Sequence, residues 1–481
     1  MSESQLAERF DEVCRDRASA VAVHDLSERA TVTFTDLFEQ YRNIRRALEH
    51  AGLGQGTLLA SLVGNRAVFF PLVVACFDAG VTLLPLGETT TSEAVALVER
   101  SGAAAVVTDR TLPLAPLATA ALPGSVTLLS LKPAGATLAQ SHAAILKLTS
   151  GSTELPRVAV ATEAHLVNDG RHIIEGMGID RADINLACIP LSHSYALGNI
   201  VAPLVWQGTA VALRQSFAPA QFIPDVEASG ATVFPGVPFM FERLATLPLG
   251  SVPKNLRLLI SAGAPIGLAT VEWFSAHLAR KIHSFYGSSE TGGISYDASE
   301  TVDDRVHVGT ALPETTVSLR ASEDGEPGRV FVTGNAVTAG YAGDNPTSTA
   351  FVDGGFLLTD QGHFDPKGRL VLTGRVSTLV NVAGRKVDPA EIERVLRAFP
   401  EIRDARVLGT ACDHRGEQLA AIIVAREPGL TAANLRQRCA ALLSAYKIPR
   451  RFVFLNELPV NARGKVDRRT LEALVAAEAD A

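Results

Sequence analysis

From Thr31 onward the spacing of apolar residues passes from strand-like to helical. The segment TVTFTDLFEQYRNIRRALEHAGL reads as a strand followed by an amphipathic helix that Gly52 closes. TLLASLVG predicts a further strand, AVFFPLVVACFDAG a helix, and VTLLPLG another strand. Short apolar runs alternating with helical segments are the pattern of βαβ units, whose strands lie parallel and buried. The expected class is therefore α/β. Its strands are expected to be mainly parallel, in sheets flanked by helices. No internal repeat of about 20 to 50 residues is visible.

Two segments need separate treatment. Ala67 to Leu86 is strongly apolar, yet Pro71, Asp78 and Pro85 interrupt it, so it falls short of the roughly 18 to 20 apolar residues of a membrane span. It predicts a buried helix followed by a strand. Near the C-terminus, Asp388 suits a helix N-cap, Pro389 the first helical position and Glu391 the third. Ile392, Val395, Leu396 and Phe399 then form one apolar face, and Pro400 marks the end.

Composition narrows the function. The 481 residues include 44 basic and 51 acidic side chains, a net charge of −7, with 20% charged against 47% hydrophobic. This is globular composition, which excludes intrinsic disorder and argues against a nucleic-acid or membrane partner. The 39 glycines and 25 prolines are close to average usage and exclude collagen-like or low-complexity chains. Five cysteines (Cys14, Cys76, Cys188, Cys412 and Cys439) are far apart and form no metal-ligand spacing, as expected of reduced thiols in the cytoplasm. The start MSESQLAERFDEV lacks the features of a signal peptide. Charge is unevenly spread: residues 376–481 hold 17 basic and 13 acidic side chains, net +4, and the remainder hold 27 and 38, net −11. The expected division is therefore 1–375 and 376–481, with the boundary near Arg375. The basic excess suits contact with phosphates, although four charges are also within sampling variation.

The sharpest local feature is Leu148-Thr149-Ser150-Gly151-Ser152-Thr153, which follows the apolar run Ala143 to Leu146. Backbone N–H groups and hydroxyls of such a turn cradle phosphate oxygens, and Arg157 adds charge. Alone it equally describes an ordinary loop, and it is no Walker A motif because no GKS or GKT follows. Further on come Tyr286-Gly287-Ser288-Ser289-Glu290-Thr291-Gly292, then Thr359-Asp360 with Gly374-Arg375, then Gly384-Arg385-Lys386-Val387, and finally Asn461 to Arg469, NARGKVDRR. In this order the motifs resemble those of the adenylate-forming superfamily of acyl-CoA synthetases, amino-acid adenylation domains and firefly luciferase. The resemblance extends from about residue 10 to the C-terminus, and it implies a large N-terminal domain of several subdomains, with mainly parallel sheets flanked by helices, and a small mobile α+β C-terminal domain.

The resemblance implies an AMP-forming ligase. A carboxylate attacks the α-phosphorus of ATP, so two anions must be aligned and their charge neutralised. Lys465 matches the catalytic lysine that bridges carboxylate and α-phosphate. Glu290 matches the residue that holds Mg²⁺ on the phosphates. Thr149 to Thr153 and Gly287 to Ser289 would line the phosphates, and Ser289 stands where Thr is usual. Asp360 would grip the ribose with Arg375 nearby, Tyr286 would stack on adenine, and Gly263-Ala264-Pro265 would read its edge. His193, in Pro190 to Tyr195, matches the residue beside the acyl carboxylate. Tyr195, Asn199, Ser284, Phe285 and Gly292 would line the acyl pocket, and Gly384 the pantetheine tunnel.

Three positions depart from the pattern. Glu154 replaces the glycine that usually continues the phosphate loop. Like charges at about 6 Å repel by roughly 0.7 to 3 kcal/mol, so an inward Glu154 weakens ATP binding. Ser377 stands at the hinge in place of Asp or Lys, and Asn381 replaces a common Lys. Ser194 follows His193 where amino-acid-activating relatives carry Asp, which disfavours an α-amino acid. Phe285, often Gly when long chains must pass, favours an aryl or short-to-medium acid. The expected partners are that small acid, ATP with Mg²⁺, and CoA or a phosphopantetheinyl carrier protein, with the chain a monomer or homodimer. Arg450 and Arg451 suit the acceptor's phosphates or acidic face, and equally a solvated rim. Three alternatives stay open: adenylation of another oxyacid such as nitrite, transfer to an amine, and a nucleotide-binding protein that has lost turnover.

Overall fold

The computed structural model describes residues 4–87, 89–133, 137–140, 142–148, 157–248, 253–303, 306–320, 328–342, 350–375, 380–382, 385–387, 389–412, 416–443, 445–460 and 466–477. Thr149 to Thr153, Glu154, Ser377, Gly384, Asp388 and Lys465 lie outside them, as do the side chains of Arg375, Asn381 and Cys412. The chain forms two compact units. The first comprises Met1–Ser318, Phe331–Leu357 and Pro366–Leu370, and the second Leu319–Val330, Leu358–Asp365 and Val371–Ala481.

The early alternation resolves as expected. Strand Ala30–Thr33 leads into helix Phe34–His50, and Gly52 follows with φ +69°. Thr33 and Asp36 form a capping box: the Thr33 hydroxyl accepts from the Asp36 N–H at 3.1 Å, and Asp36 accepts from the Thr33 N–H at 2.8 Å. Every residue from Phe69 to Phe77 in helix Phe69–Asp78 is buried, and Pro71 is tolerated because it falls in the first turn. Strands Leu58–Leu62 and Thr82–Pro85 are buried along their whole length, so they read as apolar runs rather than alternating patterns. No described helix is long and apolar enough to cross a membrane.

Unit one holds two large sheets. In the seven-stranded sheet, Ile145–Leu148 runs parallel to Thr82–Pro85 and antiparallel to the edge strand Val158–Ala161. In the nine-stranded sheet, Ala210–Leu213, Ile184–Ala187, Val233–Gly236, Leu258–Ser261 and Ile282–Ser288 are successive parallel neighbours, and Gly292–Tyr296 folds back antiparallel on the last. Unit two contains a sheet in which Gly416–Ala425 lies between Ile402–Cys412 and Val380–Val382 and also pairs with Arg451–Leu455. Helix Pro389–Arg397 packs Ile392 and Leu396, both fully buried, into that unit's core with Phe399. Glu391, read as part of a capped start, gives its carboxylate to the Lys447 ammonium at 2.6 and 2.8 Å. Four cysteines, Cys14, Cys76, Cys188 and Cys439, are free and buried.

Local and long-range constraints differ in weight here. Gly309 has φ +76°, and a Cβ on it would overlap the Tyr296 carbonyl. Gly309→Ala should therefore cost about 2 to 4 kcal/mol, and Thr33→Ala about 1 kcal/mol, in urea unfolding of the full chain. A smaller loss for Gly309→Ala than for Thr33→Ala would contradict this packing.

Candidate active site

In parallel α/β sheets, ligands meet the carboxyl ends of the strands, because the connecting loops there carry free N–H groups and side chains. Three of the predicted motifs reach that edge of the nine-stranded sheet. Ile184–Ala187 leads to Pro190 and His193, Leu258–Ser261 leads to Gly263-Ala264-Pro265, and Ile282–Ser288 itself carries Ser284, Phe285 and Tyr286. Gly263 has φ +83°, and the three turn residues are exposed. The Ser261 hydroxyl just before them is buried with no hydrogen-bond partner among the described residues. Ser194 and Ser289 join two of the loops directly, with hydroxyl oxygens 2.9 Å apart.

The turn from Ser288 to Gly292 is held by the Ser288 and Thr291 side chains, whose oxygens lie 3.0 Å apart. The Ser288 hydroxyl accepts from the backbone N–H of Glu290 and of Thr291, both at 3.2 Å. Gly287 leaves space for the Gly292 carbonyl, which a Cβ would meet at 2.6 Å. Glu290 is 9% exposed and accepts from the Tyr341 hydroxyl at 2.6 Å. Burial, assisted by Glu290, pushes the Tyr341 phenol up, so it stays a donor. The Arg157 guanidinium lies 5.5 Å from the centre of the Tyr341 ring.

Backbone pairing fixes Tyr341. The N–H groups of Ala339 and Ala342 donate to Val160 and Val158, Gly340 accepts from Val160, and the Thr338 N–H donates to the Glu290 carbonyl at 2.7 Å. Residues 338–342 thus stitch the edge strand Val158–Ala161 to the turn that carries Glu290.

His193 precedes a short helical turn, Ser194–Ala196, that continues through a π-helical turn, Leu197–Val201, into helix Ala202–Gln207. Such π-turns are frequent at functional sites because they re-aim side chains. Asn199 sits in this turn, 1% exposed, donating to the Tyr195 carbonyl at 3.3 Å. Its Oδ1 has no partner among the described residues. Tyr195 donates to the Ile260 carbonyl at 3.2 Å, and burial pushes its phenol well above the ordinary range. Its ring centre is 5.7 Å from that of Phe285. Both rings pack with Ile173, Met177 and Ile260 in an apolar cluster. Ser284 instead lines a small cleft with Lys281, Asp297 and His307. Asp360 lies in unit two, 8% exposed, on strand Gly355–Phe364.

Two residues outside the predicted motifs join Glu290. Lys147, on strand Ile145–Leu148, is 2% exposed, and its ammonium has no hydrogen-bond partner among the described residues. Burial pushes its pKa below the ordinary value, opposed by the charges of Asp169 and Glu290. Asp169, on helix Glu163–Met177, accepts from the Gly293 N–H at 2.8 Å. Burial pushes its carboxyl up, opposed first by Lys147. Space for Asp169 depends on glycines: a Cβ on Gly292 would meet Oδ1 at 2.5 Å, and one on Gly198 would meet Oδ2 at 2.9 Å. One signal of Lys147 was visible, a lone cation in the otherwise apolar run AAILKL directly before the hydroxyl-rich turn. Asp169 gave none.

Among the described residues, no group of three or more His, Cys, Asp or Glu side chains is gathered for a metal. Mg²⁺ needs no such cage, because it binds through one or two carboxylates plus substrate phosphates, and the single carboxylate of Glu290 fits that donor set.

The model of the AMP-binding enzyme family matches residues 10–342, and that of the AMP-binding enzyme C-terminal domain matches residues 391–465. The 2-succinylbenzoate–CoA ligase of Bacillus licheniformis is 27% identical over 92% of this chain and 94% of its own length. The sulfoacetate–CoA ligase of Cupriavidus necator is 30% identical over 68% of this chain and 66% of its own. Among solved structures, o-succinylbenzoate CoA synthetase from Bacillus subtilis in complex with its acyl-adenylate intermediate superposes with TM-score 0.81 at 24% identity, covering 96% of this chain and 97% of that one.

The Tyr341–Glu290 hydrogen bond should be measurable as a coupling. In a double-mutant cycle of Tyr341→Phe and Glu290→Gln, unfolding free energies should show an interaction of about 1 to 2 kcal/mol. Losses that add to within about 0.4 kcal/mol would show that the pair is not coupled.

Proposed function

The chain belongs to the AMP-binding enzyme family, and we propose that as an AMP-forming ligase it activates an aryl or short-to-medium carboxylic acid that lacks an α-amine. In the first step a carboxylate oxygen forms a bond to the α-phosphorus of ATP, the bond to pyrophosphate breaks, and an acyl adenylate remains. In the second step a thiolate, its proton lost to solvent, attacks the acyl carbon and AMP leaves. The acceptor is the thiol of CoA or of a phosphopantetheinyl carrier protein, and CoA is the acceptor in the names of the curated relatives.

One observation carries this reading. The loops of His193 to Asn199, Gly263 to Pro265 and Tyr286 to Glu290 converge at the carboxyl edge of one sheet, and the Ser194–Ser289 hydrogen bond ties two of them together. Acid, base and phosphate therefore meet groups of the right kind there. His193 contacts the acyl carboxylate, Tyr286 and the Gly263 turn take adenine, and Glu290 holds Mg²⁺, which when bound neutralises phosphate charge. Asp360 and Arg375 take the ribose, Thr149 to Thr153 the phosphates, and Gly384 the pantetheine arm. Lys465 bridges carboxylate and α-phosphate, brought in by a small domain that turns about a hinge near Ser377.

Two features bear on the acid. At Ser194, where an amine would need a carboxylate, the chain offers a hydroxyl already bonded to Ser289. Phe285 packs against Tyr195, and in this reading its bulk shortens the acyl pocket, which suits a compact acid. Both relatives named above are named for compact acids, 2-succinylbenzoate and sulfoacetate.

The test is ATP–pyrophosphate exchange across a panel of aryl, short, medium and long carboxylic acids, α-amino acids and nitrite. Exchange is expected with a compact acid without an α-amine. Lys465→Ala should lower it by at least about a hundredfold, some 2.7 kcal/mol of transition-state stabilisation, with unchanged folding. ATP binding without exchange for any acid would identify a nucleotide-binding protein without turnover.

A further inference from the structure

Lys147 is the observation that the ligase reading leaves over. An ammonium group has three N–H donors and is strongly hydrated, so burying it unbonded is among the costlier arrangements a protein adopts. Lys147 is 2% exposed and none of its donors is used among the described residues. Asp169 and Glu290 attract it electrostatically without bonding it. Each is engaged elsewhere: Asp169 Oδ1 accepts the Gly293 N–H, and Glu290 Oε1 accepts the Tyr341 hydroxyl. Two residues before Thr149 the protein thus holds a buried amine with no hydrogen-bond partner among the described residues, whose charged form burial opposes and Asp169 and Glu290 favour.

We propose that Lys147 is a resident counter-cation for the polyphosphate of ATP, taking over part of the charge neutralisation that Mg²⁺ otherwise supplies. This rests on the reading that the chain binds ATP at the Thr149 to Thr153 loop and Glu290. Three features favour an anionic oxygen as the missing partner. The site is buried, so a charge pair there is screened less than at the surface. The amine is carried on a strand rather than on a loop, so its backbone is fixed. The hydroxyl-rich segment Thr149 to Thr153, which the ligase reading gives to the phosphates, follows Leu148 directly in sequence. Two carboxylates outnumber the one ammonium, so a divalent cation is still attracted and Lys147 supplements it rather than replacing it. A phosphate loop that carries Glu154 in place of glycine gives such a supplement a purpose.

The experiment is calorimetric titration of the full chain with ATP, once with Mg²⁺ and once in EDTA. Wild-type protein should lose no more than about tenfold in affinity when Mg²⁺ is removed. Lys147→Met, which keeps the volume and removes the charge, should bind ATP in EDTA at least about tenfold more weakly than wild type, with a smaller loss in Mg²⁺. Lys147→Arg should restore binding in EDTA. A lysine needed only to balance buried carboxylates would lower the melting temperature of Lys147→Met without changing the ratio of the two affinities. The proposal is overturned if wild-type affinity falls more than about a hundredfold in EDTA, or if folded Lys147→Met matches wild type there. The wild-type ratio decides the matter even if Lys147→Met does not fold. Absence of ATP binding in Mg²⁺ would overturn the ligase reading itself, a result distinct from a failure confined to EDTA.

Discussion

Everything at the candidate site depends on keeping the Glu290 carboxylate in place while it is nearly excluded from water. A buried carboxylate needs donors and nearby positive charge to persist. The fold supplies the donor through Tyr341 and holds Tyr341 by pairing residues 338–342 with the strand Val158–Ala161. That strand follows Thr149 to Thr153 in sequence, and Glu290 lies on the turn between two adjacent strands of the nine-stranded sheet, Ile282–Ser288 and Gly292–Tyr296. One short segment therefore ties the strand Val158–Ala161 to the turn that carries Glu290, far apart in sequence. Lys147 supplies positive charge toward Glu290 and Asp169, against the cost of its own burial.

The parts of this arrangement legible in the sequence are those whose causes are local. Thr33 and Asp36 are three residues apart, so the helix start they cap could be read directly, as could the buried helix Phe69–Asp78. Motif order exposed the loops at His193, Gly263 and Tyr286, because each is a compact signature. Asp169 could not be found that way. Its environment is made by Gly198, Gly292 and Gly293, residues brought together by the packing of a helix on a strand. Sheet order was equally hidden: Ile184–Ala187 lies between strands that follow it in sequence, a choice set by long-range pairing. At Glu391 a distant ammonium, Lys447, claims a carboxylate that local spacing assigned to a helix start.

Phe285 and Tyr195 illustrate a different limit. Residue type alone indicated a shortened pocket, and the rings do pack together, 5.7 Å apart, within an apolar cluster. Their burial gives this side of the site a rigid wall, while in the π-helical turn the Asn199 amide oxygen has no partner among the described residues. Rigid apolar walls with a few fixed polar groups are what a compact acid requires for orientation, since specificity in such pockets comes from placement more than from contact area.

The central claim is that the acid's own oxygen attacks the α-phosphorus of ATP. With an acid that supports turnover, isotopically labelled at both carboxylate oxygens, and with CoA as acceptor, mass spectrometry of the released AMP reads this directly. The account predicts that AMP carries a single labelled oxygen, inherited from the acyl adenylate. Unlabelled AMP, or label in inorganic phosphate with ADP as the nucleotide product, would contradict it.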